Sequence, residues 1–111
     1  MALIASQIKE VFPLREDGPA KHVLLRSREG MVLLLGLATG QTLPPHRHPG
    51  YELQILVVEG EGRFFLQGEA RAVKAPAVLS CGGDEDFGVQ NDGANPLYVL
   101  VVLRPSGDVL A

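Results

Sequence analysis

Short apolar runs alternate with turn-forming residues along most of this chain, at a spacing of about ten residues. His22 to Arg26 leads to a turn at Arg28-Glu29-Gly30, and Met31 to Thr39 follows. Tyr51 to Val58 runs into Glu59-Gly60-Glu61-Gly62, then Arg63 to Gln67 and the turn Gly68-Glu69. Ala70 to Lys74 and Ala77 to Cys81 are parted by Pro76; Phe87 to Gln90, the turn Asn91 to Pro96 and Leu97 to Arg104 complete the series. Runs this short, rich in Val, Leu and Phe, predict an all-β sandwich or barrel. Ahead of them, Ile4, Ile8, Val11 and Phe12 recur at helical spacing until Pro13. That segment predicts a short N-terminal helix, and a covering strand fits the same residues.

Two runs are apolar at nearly every position, Met31 to Ala38 and Leu97 to Leu103. A strand with one wet face alternates, so these two are expected to be covered on both faces. One face looks into the barrel. The other meets the N-terminal segment, a second sheet or another subunit, and in so small a chain a homodimer is the expected cover.

The 111 residues suit one domain spanning 1–111. Apolar residues make up 46% and charged residues 21%, which excludes a disordered or fibrous chain. No apolar run approaches the ~20 residues of a membrane span. A net charge of −3, without a basic block, argues against nucleic acid and anionic membranes as partners. The one cysteine, Cys81, excludes an internal disulfide and a zinc finger. It reads as a small buried hydrophobe rather than a nucleophile. With no secretory signal pattern at Met1 to Phe12, the expected setting is reducing and cytoplasmic.

Candidate chemistry gathers in Gly40 to Glu52, where two of the three histidines, His46 and His48, stand one residue apart. Residues i and i+2 of a strand share a face, so the two imidazoles aim at one point and Arg47 turns away. Glu52 follows Pro49-Gly50, where the chain bends and can bring a carboxylate to the same point. Two imidazoles and a carboxylate suit one divalent first-row metal (Fe, Mn, Ni, Cu or Zn). Tyr51 and Gln54 are further candidates for the pocket wall, and His22 reads as a surface or edge residue.

These residues resemble the first motif of the cupin family: Gly, five residues, His-x-His, three or four residues, Glu, six residues, Gly. Gly40, His46, His48, Glu52 and Gly60 stand in those places, and Asn91 before Leu97 to Leu103 is similar to the end of the second motif. The resemblance covers residues 20–104 and implies a small antiparallel jelly-roll barrel with one metal at its mouth, held by three His and one Glu. The chain departs from that pattern twice. Counting back from Asn91, the second-motif histidine position is Phe87, so the fourth ligand is absent. Seven residues, not six, separate Glu52 from Gly60. If His48 sets the register, Glu52 points inward with Gln54, Leu56 and Val58. If the Gly60 turn sets it, Leu53, Ile55 and Val57 point inward and Glu52 faces out, because a one-residue slip swaps faces. A bulge near Tyr51 would satisfy both counts.

Two site readings are therefore open. In one, His46, His48 and Glu52 hold a metal, with positions left for water or substrate, and Asp86 or Glu85 is a candidate to replace the missing His. In the other, Phe87 and Leu53 fill the ligand positions, the site holds no metal, and Asp84-Glu85-Asp86 is a solvated loop. Three functions follow: a small-molecule binder with its pocket around His46 and His48, a metal-dependent enzyme of the dioxygenase or isomerase kind, or a metal-free structural barrel.

Overall fold

The computed structural model describes residues 7, 8 and 12–106. Among them are nine strands: β1 (Ala20–Ser27), β2 (Gly30–Leu37), β3 (Thr42–His46), β4 (Tyr51–Glu59), β5 (Glu61–Leu66), β6 (Glu69–Lys74), β7 (Ala77–Gly82), β8 (Phe87–Gln90) and β9 (Leu97–Pro105). They form a five-stranded sheet in the order β1-β2-β9-β4-β7 and a four-stranded sheet in the order β3-β8-β5-β6. Every pairing is antiparallel, the expected class of fold. No helix among the described residues is long and apolar enough to cross a membrane.

The core lies between the two sheets. The larger sheet contributes Leu33, Leu35 and Leu37 of β2, Leu53, Ile55 and Val57 of β4, and the odd-numbered positions from Leu97 to Leu103 of β9. The smaller sheet contributes Phe64, Phe87 and Val89. Strict alternation along β4 sets its register: the odd positions from 53 to 57 are buried and the even ones half-buried. The other register would bury Glu52 and Gln54 in place of Leu53 and Ile55. Stripping a carboxylate and an amide of water without new partners costs several kcal/mol. The extra residue between Glu52 and Gly60 is absorbed by a bulge at Val58, where Val57 faces Val99 and Glu59 faces Tyr98. The bulge thus lies at the far end of β4 from Tyr51, around which pairing is continuous.

The two all-apolar runs pair with each other as β2 and β9, central in the larger sheet. Their outer face carries Leu34 and Tyr98, only 1% and 4% exposed. The chain's own N-terminal segment supplies part of this cover, since Leu14 and the Tyr98 ring both crowd the Cα of Gly36. Phe12 packs against His22 of β1, ring centroids 4.8 Å apart and the planes tilted by 48°. Ile4 and Val11 of the proposed helical repeat lie outside the described residues; within the repeat, Phe12 N–H donates to Ile8 O at 3.0 Å.

Strand β3 is the element the hydrophobic pattern does not announce. Its sequence, Thr-Leu-Pro-Pro-His, has two prolines that cannot donate to a ladder. It is accordingly an edge strand, paired only with β8, and its register shifts between Leu43 and His46, across the prolines.

Candidate functional site

Edge strand β3 and the turn after it carry the histidine pair. His46 ends β3 opposite Phe87 of β8. His48 starts a tight turn in which Tyr51 N–H donates to His48 O at 3.1 Å, with Pro49 at the second position and Gly50 (φ +87°) at the third. Proline followed by a left-handed glycine is the sequence of a type II turn. The turn is clamped to the β7–β8 loop: His48 N–H donates to Gly83 O and Gly83 N–H to Tyr51 O, both at 2.7 Å. A Cβ at Gly83 would overlap the carbonyl oxygens of His48 and Tyr51, so glycine is required for this close approach. Gly83 is a residue that sequence reasoning missed, although the Gly82-Gly83 pair in the loop was its signal.

The two imidazoles converge as the i, i+2 spacing predicts, although His48 lies just past the end of β3. Their Nε2 atoms are 3.1 Å apart and the rings meet edge to face. His46 Nδ1 lies 3.0 Å from Pro44 O, a carbonyl that can only accept, so His46 carries its hydrogen on Nδ1 and leaves the Nε2 lone pair toward His48. Burial first, then the neighbouring His46 and the Lys21 ammonium, push the His48 imidazole below its ordinary value of 6.5.

That direction has a consequence for stability. A histidine held neutral in the fold takes up its proton more readily when unfolded, so its stabilisation is complete above about pH 6.5 and is lost as pH falls from there through the folded value. Thermal midpoints of the native chain are expected to drop on acidification below pH 6.5. In a His48→Gln variant this part of the drop is absent, and scanning calorimetry against pH checks it.

The pair opens on a cavity of about 170 Å³ between the edge strands β1 and β3. Its wall is mainly hydrocarbon, from Leu33, Leu35, Leu43, Leu53, Phe87 and Val101 among others. Its polar side chains are Thr42, His46 and His48 from β3 and the turn after it, and Lys21 from β1. Lys21 stands opposite Leu35 in the β1–β2 pairing, which sets it on the inner face of the sheet at its open edge.

Glu52 does not join the pair. It lies on the outer face of β4, directly across from Arg104, with Arg104 Nη2 donating to Glu52 Oε2 at 3.0 Å. The carboxylate of the expected ligand set is thereby corrected, for the reason of register given above: the inward place beside the histidines belongs to Leu53. Among the described residues no three His, Cys, Asp or Glu side chains are grouped to hold a metal. Tyr51 and Gln54 are likewise corrected as pocket residues. Tyr51 is exposed, and Gln54 accepts a hydrogen bond from Ser80 Oγ on the outer face at 2.9 Å. Phe87 does line the cavity, as expected.

The acidic loop is a local structural element. Asp86 accepts from Arg47 Nε at 2.9 Å, and Glu85 Oε1 caps Gly82 N–H at 2.9 Å. Neither lines the cavity. Arg47 therefore turns away from the histidines, as the alternation requires. His22 sits on edge strand β1 opposite Leu34, on the outer face, and does not line the cavity. A second cavity of about 350 Å³, on the other side of Phe87, is lined by Ile55, Phe64, Leu79 and Cys81 among others. Burial and Glu85 raise the Cys81 thiol, keeping it protonated, in keeping with a packing role.

The cupin domain family matches residues 33–103, from the middle of β2 to near the end of β9. The chain belongs to the cupin family. No curated protein matches it. Among solved structures it is similar to an uncharacterised conserved protein with a double-stranded β-helix domain from Klebsiella pneumoniae, with a TM-score of 0.86 and 23% identity over 95% of this chain and 91% of that one. An RmlC-like cupin protein from Desulfovibrio desulfuricans matches with a TM-score of 0.83 and 24% identity, over 94% and 98% of the two chains. A predicted oxalate decarboxylase from Thermotoga maritima matches at 0.74 and 22%, over 79% and 81%. These likenesses establish the fold of this cupin.

Cupins often bind metals, so the fit of one here follows from the donors present. Two Nε2 atoms 3.1 Å apart would each lie about 2.1 Å from an ion and subtend roughly 95°, the spacing of two adjacent ligands. The two remaining family positions are hydrocarbon, Leu53 and Phe87. A resident metal centre with three or four protein ligands does not fit this cupin.

Proposed function

We propose that this cupin is a small-molecule binder whose site is the cavity floored by His46 and His48. One observation carries the reading: Leu53 and Phe87 close the ring around the histidine pair with hydrocarbon, so the four family positions frame an apolar pocket with a polar end rather than a coordination sphere. His46 is exposed and His48 half-buried, so the pair stands at the mouth of the pocket where a ligand can reach it. Here the two imidazoles meet one another in one Nε2–Nε2 contact, and both residues line the cavity. A homodimer is the assembly we propose, because Val23, Leu24 and Leu25 of edge strand β1 leave a run of apolar side chains 46%, 45% and 58% exposed.

A metal-dependent reaction of the dioxygenase or isomerase kind is the second reading, favoured by the Nε2 spacing alone. Elemental analysis of protein purified without added metal separates the two. The binder reading expects less than about a tenth of an equivalent of Fe, Mn, Ni, Cu and Zn together, and no uptake on micromolar titration, since two imidazoles fall short of the three protein ligands usual in a catalytic zinc site. A stoichiometric ion, lost in His46→Ala and kept in His22→Ala, would overturn it in favour of the enzyme.

A further inference from the structure

The charge around the cavity is one-sided. Its titratable lining groups are Lys21, His46 and His48, and no carboxylate lines it among the described residues. The chain as a whole is acidic, at −3. The carboxylates nearest in sequence to the site are turned elsewhere, Glu52 onto Arg104 and Asp86 onto Arg47. The ion pairs among the described residues are these two, Arg15–Asp17 and Arg63–Asp92, so the Lys21 ammonium has no carboxylate partner among them. It nonetheless acts on the pocket, since its charge is one of the causes that hold His48 neutral. A cation at the rim with no carboxylate partner among the described residues, beside the Thr42 hydroxyl, is the chemistry that recognises an anionic oxygen group.

The remaining volume limits the rest of the ligand. The cavity of about 170 Å³ is close to the ~150 Å³ of an apolar protein cavity that holds one benzene. No polar side chain lines it besides Lys21, Thr42, His46 and His48, so the group that enters is a single ring or branched chain. Resting on the pocket-binding reading above, we infer that the ligand is a small monocarboxylate with one apolar group of about ring size. Its carboxylate faces Lys21 and Thr42, and its hydrocarbon lies against Leu33, Leu53 and Phe87.

Benzoate and its uncharged isostere benzamide test this, added to the full chain in the presence of a chelator and followed by two-dimensional NMR of the backbone amides. Benzoate is expected to shift the signals of residues around His46, His48 and Phe87. It should bind about tenfold more tightly than benzamide, the margin between a charge-assisted and a neutral hydrogen bond. Lys21→Met, a change at an exposed position, should bring benzoate to the level at which benzamide binds the same variant. Raising the salt should narrow the gap. If benzamide binds the native chain as well as benzoate does, the charge assignment is overturned and the pocket reading stands. If neither compound moves a cavity signal, while the chain is folded, both are overturned. Benzoate binding that survives Lys21→Met at full strength would overturn the assigned role of Lys21, and with it the inference.

Discussion

A Leu53→Glu, Phe87→His double variant of this cupin is expected to bind one divalent ion at least about 100-fold more tightly than the native chain. The geometry behind the expectation is already in place. His46 and His48 present their Nε2 atoms 3.1 Å apart, and Leu53 and Phe87 line the same cavity from β4 and β8. Phe87 stands directly across from His46, so an imidazole at 87 starts from the right strand and face. Loss of an outer-shell partner alone changes metal affinity by about 10–100-fold, so two added direct ligands should exceed that range. Without metal the variant should be less stable than the native chain, because a carboxylate at position 53 is buried beside hydrocarbon and a smaller ring replaces Phe87. Metal at 100 times its dissociation constant should then return about 2.7 kcal/mol, through preferential binding to the folded state. Calorimetric titration with Zn²⁺ or Mn²⁺, with melting curves run in parallel, reads both effects. A folded double variant that gains no affinity would show that positions 53 and 87 do not face the point at which the histidines converge. Glu52→Gln in the native chain is the matched control: it should change metal uptake by nothing measurable, since that carboxylate lies on the outer face with Arg104.

The contrast between Leu53 and Glu52 also shows where the sequence is informative. Apolar runs separated by turns locate eight of the nine strands, because a half-buried strand must show its burial in its side chains. Strand β3 escapes, since Thr-Leu-Pro-Pro-His at a sheet edge buries little and has no period to detect. The family likeness and the convergence of His46 and His48 were legible from motif spacing. The facing of Glu52 was not, because the spacing from His48 and the spacing from Gly60 give opposite answers. The conflict is settled by energies that a residue count does not contain: burying Leu53, Ile55 and Val57 outweighs burying Glu52 and Gln54, and the surplus residue is displaced to a bulge at Val58. Pocket membership of Tyr51 and Gln54 failed with the same register. Lys21 was passed over because no site motif surrounds it in sequence; only the pairing of β1 with β2 brings it to the mouth of the cavity.

Replacing Asn91 is expected to destabilise the protein more than any other single polar change, by about 3–5 kcal/mol for Asn91→Ala, a large part of the 5–15 kcal/mol usual for a domain. Asn91 is the buried polar residue of the core, 0% exposed, and its family likeness marks it only as the end of a motif. Its Nδ2 donates to Leu37 O and to Asn95 O, each at 2.9 Å, and its Oδ1 accepts from Gly93 N–H at 3.0 Å. Its backbone completes the junction: Gly40 N–H donates to Asn91 O at 2.8 Å and Asn91 N–H to Gln41 O at 2.9 Å. One side chain therefore ties the end of β2, in the larger sheet, to the turn that follows β8, in the smaller. Alanine leaves two carbonyls and one N–H without their partner, at about 1–3 kcal/mol for each group that water does not reach. Asn91→Asp separates this from loss of volume. The shape is kept, but an ionised carboxylate would face two carbonyl oxygens, so the fold favours the protonated form and raises the pKa of the introduced carboxyl above its unfolded value near 3.9. The protonated variant keeps one donor, and its stability relative to the native chain is therefore highest below about pH 3.9 and falls as pH rises through the raised folded value. Chemical denaturation of the native chain and both variants at pH 4 and pH 7 measures the difference. Equal losses for Asn91→Asp at the two pH values would mean that the amide hydrogens at position 91 do not hold the sheets together.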